Sequence, residues 1–145
     1  ILIENLANIF YTYPPRVFHG VYNFLNNLQQ KGITCSIISN TSLIPGNLLK
    51  SFLYKVNISD FMTDMIFSNE IGFCKPLPLI FNHMKLANPS KKYTHIGDNP
   101  STDGKCINCG INYIKVTPRK DTNTFLNLSN IIFDGTNTPN AVLTP

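Results

Sequence analysis

Glu70-Ile71-Gly72-Phe73-Cys74-Lys75-Pro76-Leu77-Pro78-Leu79-Ile80-Phe81 is the stretch on which the reading of this chain turns. Pro76 and Pro78 stiffen the segment that carries Lys75, and a lysine held in a stiff loop is a fixed positive charge suited to a phosphoryl group. Alone, Lys75 reads equally as a surface lysine. Thr63 to Ser68 just upstream reads as a strand. Pro78 to Leu86 reads as a helix, with Leu79, Ile80 and Phe81 as its apolar weight. Lys75 therefore lies in the loop after a strand.

Further upstream, Val17, Phe18, Val21, Phe24, Leu25 and Leu28 keep a helical period over residues 16–31, started by Pro14-Pro15 and closed by Gly32. Ile33 to Ser39 is a β-rich run of the kind buried on both faces of a sheet. Pro45 opens a helix through Leu48, Leu49, Phe52 and Leu53. Downstream, Tyr93 to Gly97 predicts a strand, Asp103 to Cys109 a short helix stopped by Gly110, and Asn112 to Thr117 another strand. Phe125 to Leu128 predicts a helical turn and Ile131 to Phe133 a last strand. Strands alternating with helices argue for a parallel α/β sheet, and no internal repeat is present.

In such a sheet, ligands bind beyond the carboxyl ends of the strands, where Ser39, Lys75 and Asp98 all fall. A hydroxyl, an ammonium and a carboxylate on one edge suit a phosphate and a divalent cation. Each residue also has a plainer reading. Ser39-Asn40 is either a turn or helix cap, or a site where the hydroxyl and following N–H groups donate to phosphate oxygens. Asp98 is either a turn residue after Gly97 or, with Asp103, one of two hard oxygen ligands suited to Mg²⁺. Asp103 is equally well placed as the N-cap of its short helix.

With 145 residues, 43% of them hydrophobic, the chain is long enough for one domain with a core. Twelve Lys and Arg against eight Asp and Glu give a net charge of +4, and the basic residues are scattered except for Lys91-Lys92 and Arg119-Lys120. These pairs read as solvated surface, which argues against a nucleic-acid partner. The longest apolar run is too short to span a bilayer, and Ile1-Leu2-Ile3-Glu4-Asn5 does not open a signal peptide. The non-Met start reads as processing or truncation. Cys106-Ile107-Asn108-Cys109 has redox or zinc-ligand spacing, but no second ligand pair is spaced to complete a zinc site. Both thiols read better as small residues packing a short helix, which fits a reducing cytoplasm.

Taken together, the motifs resemble those of the haloacid dehalogenase (HAD) superfamily, most of whose members are phosphatases. Ile37-Ile38-Ser39-Asn40 is similar to its second motif, Gly72 to Phe81 to its third, and His95-Ile96-Gly97-Asp98 with Asp103 to its fourth. The resemblance covers roughly residues 12–133. It implies a three-layer Rossmann-like parallel sheet and Mg²⁺-dependent hydrolysis of a small phosphate ester. An aspartate on the first strand attacks phosphorus, and a second, two residues on, protonates the leaving group. Ser39 and Asn40 then bind the phosphate, Lys75 steadies nucleophile and phosphoryl charge, and Asp98 and Asp103 serve the metal.

The chain departs from that pattern at the first motif, because no Asp-x-Asp occurs in it. The stretch from Asp103 to Gly110 also runs a residue short. Phe133-Asp134-Gly135-Thr136 imitates the end of the first motif, but Ile132 stands at the nucleophile's position; coincidence is the favoured reading, and a circular permutation in which the tail fills the first-strand slot is the alternative. The expected architecture is therefore a helical-cap remnant or linker over 1–13, a core over 14–133 lacking its first central strand, and a loose tail over 134–145. The expected activity is nil unless an upstream aspartate is supplied. The rival reading is a non-enzymatic module binding phosphate, metal or protein. A receiver-like domain is disfavoured because it also needs an acidic cluster on its first strand. No heptad or apolar interface indicates an oligomeric state.

Overall fold

The computed structural model describes residues 2–117, 124–134 and 140–143. Five strands form one sheet in the order β2-β1-β5-β3-β4, and every pair is parallel. They are β1 (Cys35–Ser39), β2 (Met62–Phe67), β3 (Tyr93–Gly97), β4 (Asn112–Lys115) and β5 (Asn140–Leu143). Both β1 and β3 are buried along their whole length, as a strand covered on both faces must be.

Side-chain alternation assigns the two layers. Cys35 and Ile96 face a cluster with Phe24, Leu25 and Leu28 of α2 (Val21–Gln30) and Leu128 and Ile132 of α6 (Thr124–Asp134). Ile37 packs beside it against Leu53 of α3 (Gly46–Lys55) and Phe67. Ile38, Ile66 and Tyr93 face the other way, onto Ile80, Phe81 and Met84 of α5 (Pro78–Lys85). Burying side chains such as Phe24, Phe67 and Phe81, which retain no exposure, stabilises the fold by roughly 1.5–3 kcal/mol each. Cys106 packs in the α5 cluster with Cys109 at its margin, the packing role expected for the pair.

At the start of the chain, α1 (Leu2–Thr12) docks on α3, with Phe10 meeting Phe52 edge-on at 5.3 Å and Lys55 Nζ donating to the Tyr11 carbonyl at 3.0 Å. The first turn of α2 comes later than Pro14-Pro15 suggested, because Gly20 at φ 83 sets the helix entry at Val21. Pro45 caps α3 in an extended conformation instead of occupying its first turn.

Two expectations fail near the C-terminus. Ile131–Phe133 is not a strand but the end of α6. Phe125, Leu128 and Ile132 fall three and four apart, so one helix turns all three toward α2, which a separate turn and strand cannot do. Within the segment expected to be loose, Asn140–Leu143 forms β5. It occupies the central slot between β1 and β3 in place of the missing first strand, pairing Cys35 to Ile37 on one side and Tyr93 to Ile96 on the other. Without it, the facing edges of two buried strands lose their hydrogen-bond partners. Phe133-Asp134-Gly135-Thr136 does not supply this strand, since residue 134 ends α6. Residues 135–139 and 144–145 of the tail lie outside the described residues.

Candidate functional site

Lys75 follows the single turn α4 (Ser68–Ile71), which Gly72 ends at φ 78. Asn40 fixes the loop: its Oδ1 accepts from the Lys75 backbone N–H at 2.7 Å, and its Nδ2 donates to the Lys75 carbonyl at 2.9 Å. The side-chain amide of Asn40 thus clamps Lys75, a role that residue spacing did not reveal. Thr41 ties the same loop to α4, its N–H donating to Ser68 Oγ at 2.8 Å.

The Lys75 side chain is 7% exposed. Its ammonium donates to the Ile38 carbonyl at 3.2 Å and to Asp103 Oδ1 at 2.7 Å. An ammonium has three N–H donors, and contacts with the described residues use two of them. Burial lowers the Lys75 pKa, and the hydrogen bond and charge of Asp103 oppose the shift.

Asp103 is buried and its carboxylate is engaged on both oxygens. Oδ1 also faces His95 Nε2 at 3.1 Å, and Oδ2 accepts the Asn99 N–H at 3.1 Å. Burial raises its pKa, but hydrogen bonds from His95 and Lys75 and the Lys75 charge outweigh it and hold the carboxyl well below the usual range. Asp103 opens its 3₁₀ helix (Asp103–Cys109) and does not cap it, since Thr102 occupies the cap position. His95 is wholly buried, edge-on to Phe81 and stacked on Tyr113. With an ionised carboxylate at Nε2, that nitrogen carries the proton. Nδ1, which has no hydrogen-bond partner among the described residues, is then a bare lone pair. His95, which opens the fourth motif, is thus a support for Asp103 that sequence reading left unassigned.

Gly97 lets Asp103 come this close, because a Cβ built at 97 collides with the Asp103 carboxylate. Gly97→Ala is expected to destabilise the fold by ~1–3 kcal/mol through overpacking, seen as a lower urea midpoint at unchanged slope. A midpoint equal to the parent's would contradict this account of the glycine.

Ser39 ends β1 and is buried, and among the described residues its hydroxyl makes only a long 3.3 Å bond to the Asn40 carbonyl. Asp98 follows β3, is exposed, and has no hydrogen-bond partner among the described residues. Two strand spacings, ~10 Å, separate the ends of β1 and β3. The structure therefore brings Ser39, Asn40, Lys75 and Asp98 to the carboxyl edge around the end of β5, with Asp103 behind Lys75. Among the described residues, no three His, Cys, Asp or Glu side chains converge as a ready-made metal cage. Asp98 is an exposed carboxylate without a hydrogen-bond partner among the described residues, and one carboxylate completed by phosphate and water is an ordinary donor set for Mg²⁺.

Among solved structures, the fold is similar to that of a hydrolase from Streptococcus pneumoniae TIGR4, at 20% identity and TM-score 0.69, covering 83% of this chain and 58% of that one. It is also similar to a HAD-superfamily hydrolase from Ehrlichia chaffeensis, at 22% identity and TM-score 0.67, covering 84% of this chain and 60% of that one. At these identities the likeness is one of fold, and the chain spans less than two thirds of either neighbour's length. The chain matches no curated protein sequence. The family model of haloacid dehalogenase-like hydrolases matches residues 2–116, from α1 through β4 and so across every strand but β5. A match over that span places the chain in a family: it belongs to the haloacid dehalogenase-like hydrolases.

Proposed function

We propose that this chain carries the phosphate-binding and metal-binding parts of a Mg²⁺-dependent phosphatase site for a small phosphate ester, and that it hydrolyses such an ester only when an aspartate nucleophile is supplied from outside these residues. The observation that carries the reading is the Lys75 ammonium, held between Ile38 and Asp103 at the carboxyl edge of the sheet with one N–H donor unspent among the described residues. Ser39 adds a hydroxyl donor and Lys75 a fixed charge to a bound phosphoryl group. Asp103 positions Lys75, and Asn40 holds its backbone. Asp98 would hold Mg²⁺, which supplies charge stabilisation to the phosphoryl oxygens when bound. The four free thiols suit a reducing cytoplasm as the place of action. No described helix is long and apolar enough to cross a membrane.

The second reading, a phosphate- or metal-binding module without turnover, is favoured by the central strand itself. β5 reads Asn140-Ala141-Val142-Leu143 and offers no carboxylate to attack phosphorus. Calorimetric titration of the 145-residue chain with inorganic phosphate in the presence of Mg²⁺ tests the shared part. Binding is expected, and Lys75→Met should weaken it at least tenfold. Failure to bind, or binding indifferent to Lys75, would remove the phosphate site. An assay on phosphate monoesters is expected to show no turnover. Mg²⁺-dependent turnover abolished by Asp98→Asn would overturn the inactive state.

A further inference from the structure

A cavity of about 450 Å³ lies between the strands and helices α2, α3 and α6. This is within the ~300–1,000 Å³ range of small-molecule sites. Val21, Leu25, Ile37, Phe52, Ile96 and Phe125 give it an apolar wall, and Arg16 and Asp98 are the charged residues among its described lining. Arg16 is exposed and has no hydrogen-bond or ion-pair partner among the described residues. Asp98 belongs both to this cavity and to the carboxyl edge of the sheet, so the two regions are continuous at that residue.

We infer that the cavity receives the alcohol portion of the phosphate ester, and that this portion is an apolar group of aryl or medium alkyl size. The inference rests on the phosphate site proposed above and adds the class of the ester. A sugar or polyol phosphate is a poor occupant, because walls of Leu, Ile, Val and Phe leave its hydroxyls unpaired. An ester with one ionic end and an apolar body matches a pocket whose charges are confined to Arg16 and Asp98. Its phosphate sits at the strand ends, and its body replaces water against the apolar wall.

Titration of ¹⁵N-labelled protein with 1-naphthyl phosphate, inorganic phosphate and 1-naphthol, each with Mg²⁺, tests this. Naphthyl phosphate is expected to bind at least tenfold more tightly than inorganic phosphate and to shift the amides of Ile37, Leu53 and Ile96. Val21→Trp, which fills the cavity, and Phe18→Asp, which makes its half-open rim polar, should each remove that advantage and leave the affinity for inorganic phosphate within twofold. The second variant serves if the first fails to fold. Equal affinities for the two phosphates, or an advantage that neither variant alters, would overturn the apolar-ester assignment while leaving the phosphate site standing. Binding of 1-naphthol without either phosphate would sink the phosphate site and the ester class with it.

Discussion

Removing residues 140–145 is expected to abolish cooperative unfolding of this chain and to collapse its amide spectrum toward that of a partly ordered state. β5 is four residues long, yet it is the central strand and bonds to neighbours on both edges. Its loss exposes the inner edges of β1 and β3, and each buried backbone group left unpaired costs roughly 1–3 kcal/mol. Several such groups together rival the ~5–15 kcal/mol that holds a domain folded. Val142→Pro is the gentler form of the test. It removes one N–H from a strand paired on both sides, where proline is not tolerated. Urea unfolding should then show a midpoint lower by the equivalent of at least ~2 kcal/mol. A truncated chain unfolding cooperatively at the parent's midpoint would mean that β1 and β3 do not depend on β5.

That strand marks where the sequence was hardest to read. β1, β2, β3, β4 and α5 follow from short apolar runs, β-branched residues and local stop signals such as Gly110, all of which act within a few residues. β5 has no such signal, because Asn, Thr and Pro dominate residues 134–145 and argue for looseness. Its place in the sheet comes from parallel pairing with residues 47 and 106 positions away, and strand preference depends on that context. α6 was legible but misread, since three adjacent apolar residues at 131–133 suggested a strand while Phe125, Leu128 and Ile132 kept a helical period. In the site, motif spacing placed Ser39, Lys75 and Asp98 on one edge. It could not show that Asn40 clamps the Lys75 backbone or that His95 and Lys75 share Asp103, because those contacts exist only once four loops and strands have converged.

Asp103→Ala is expected to cost ~3–5 kcal/mol of stability, whereas Asp98→Ala should stay within about 0.5 kcal/mol of the parent. The two carboxylates look alike in the sequence and lie five positions apart, but their surroundings are opposite. Asp98 is exposed. Asp103 neutralises a buried ammonium at 2.7 Å and holds the proton-bearing nitrogen of a fully buried imidazole at 3.1 Å. Truncating it strands the Lys75 charge away from water, and that unpaired charge is the main cost. Replacing both members, as in Lys75→Met with Asp103→Leu, should therefore recover part of the loss despite removing more polar groups. The pH dependence carries the same signature. Because folding depresses the Asp103 pKa, its contribution is complete above the unfolded carboxyl's value of about 3.9 and is lost as pH falls toward the folded value. Asp103→Asn should remove that part of the acid limb, and Asp98→Asn should leave it in place. Phosphate affinity separates the two further: Asp103→Asn loosens Lys75 and should weaken phosphate with or without Mg²⁺, while Asp98→Asn should weaken it only when Mg²⁺ is present. Equal stability losses for the two variants in urea would show that Lys75 does not rely on Asp103 as the 2.7 Å contact requires.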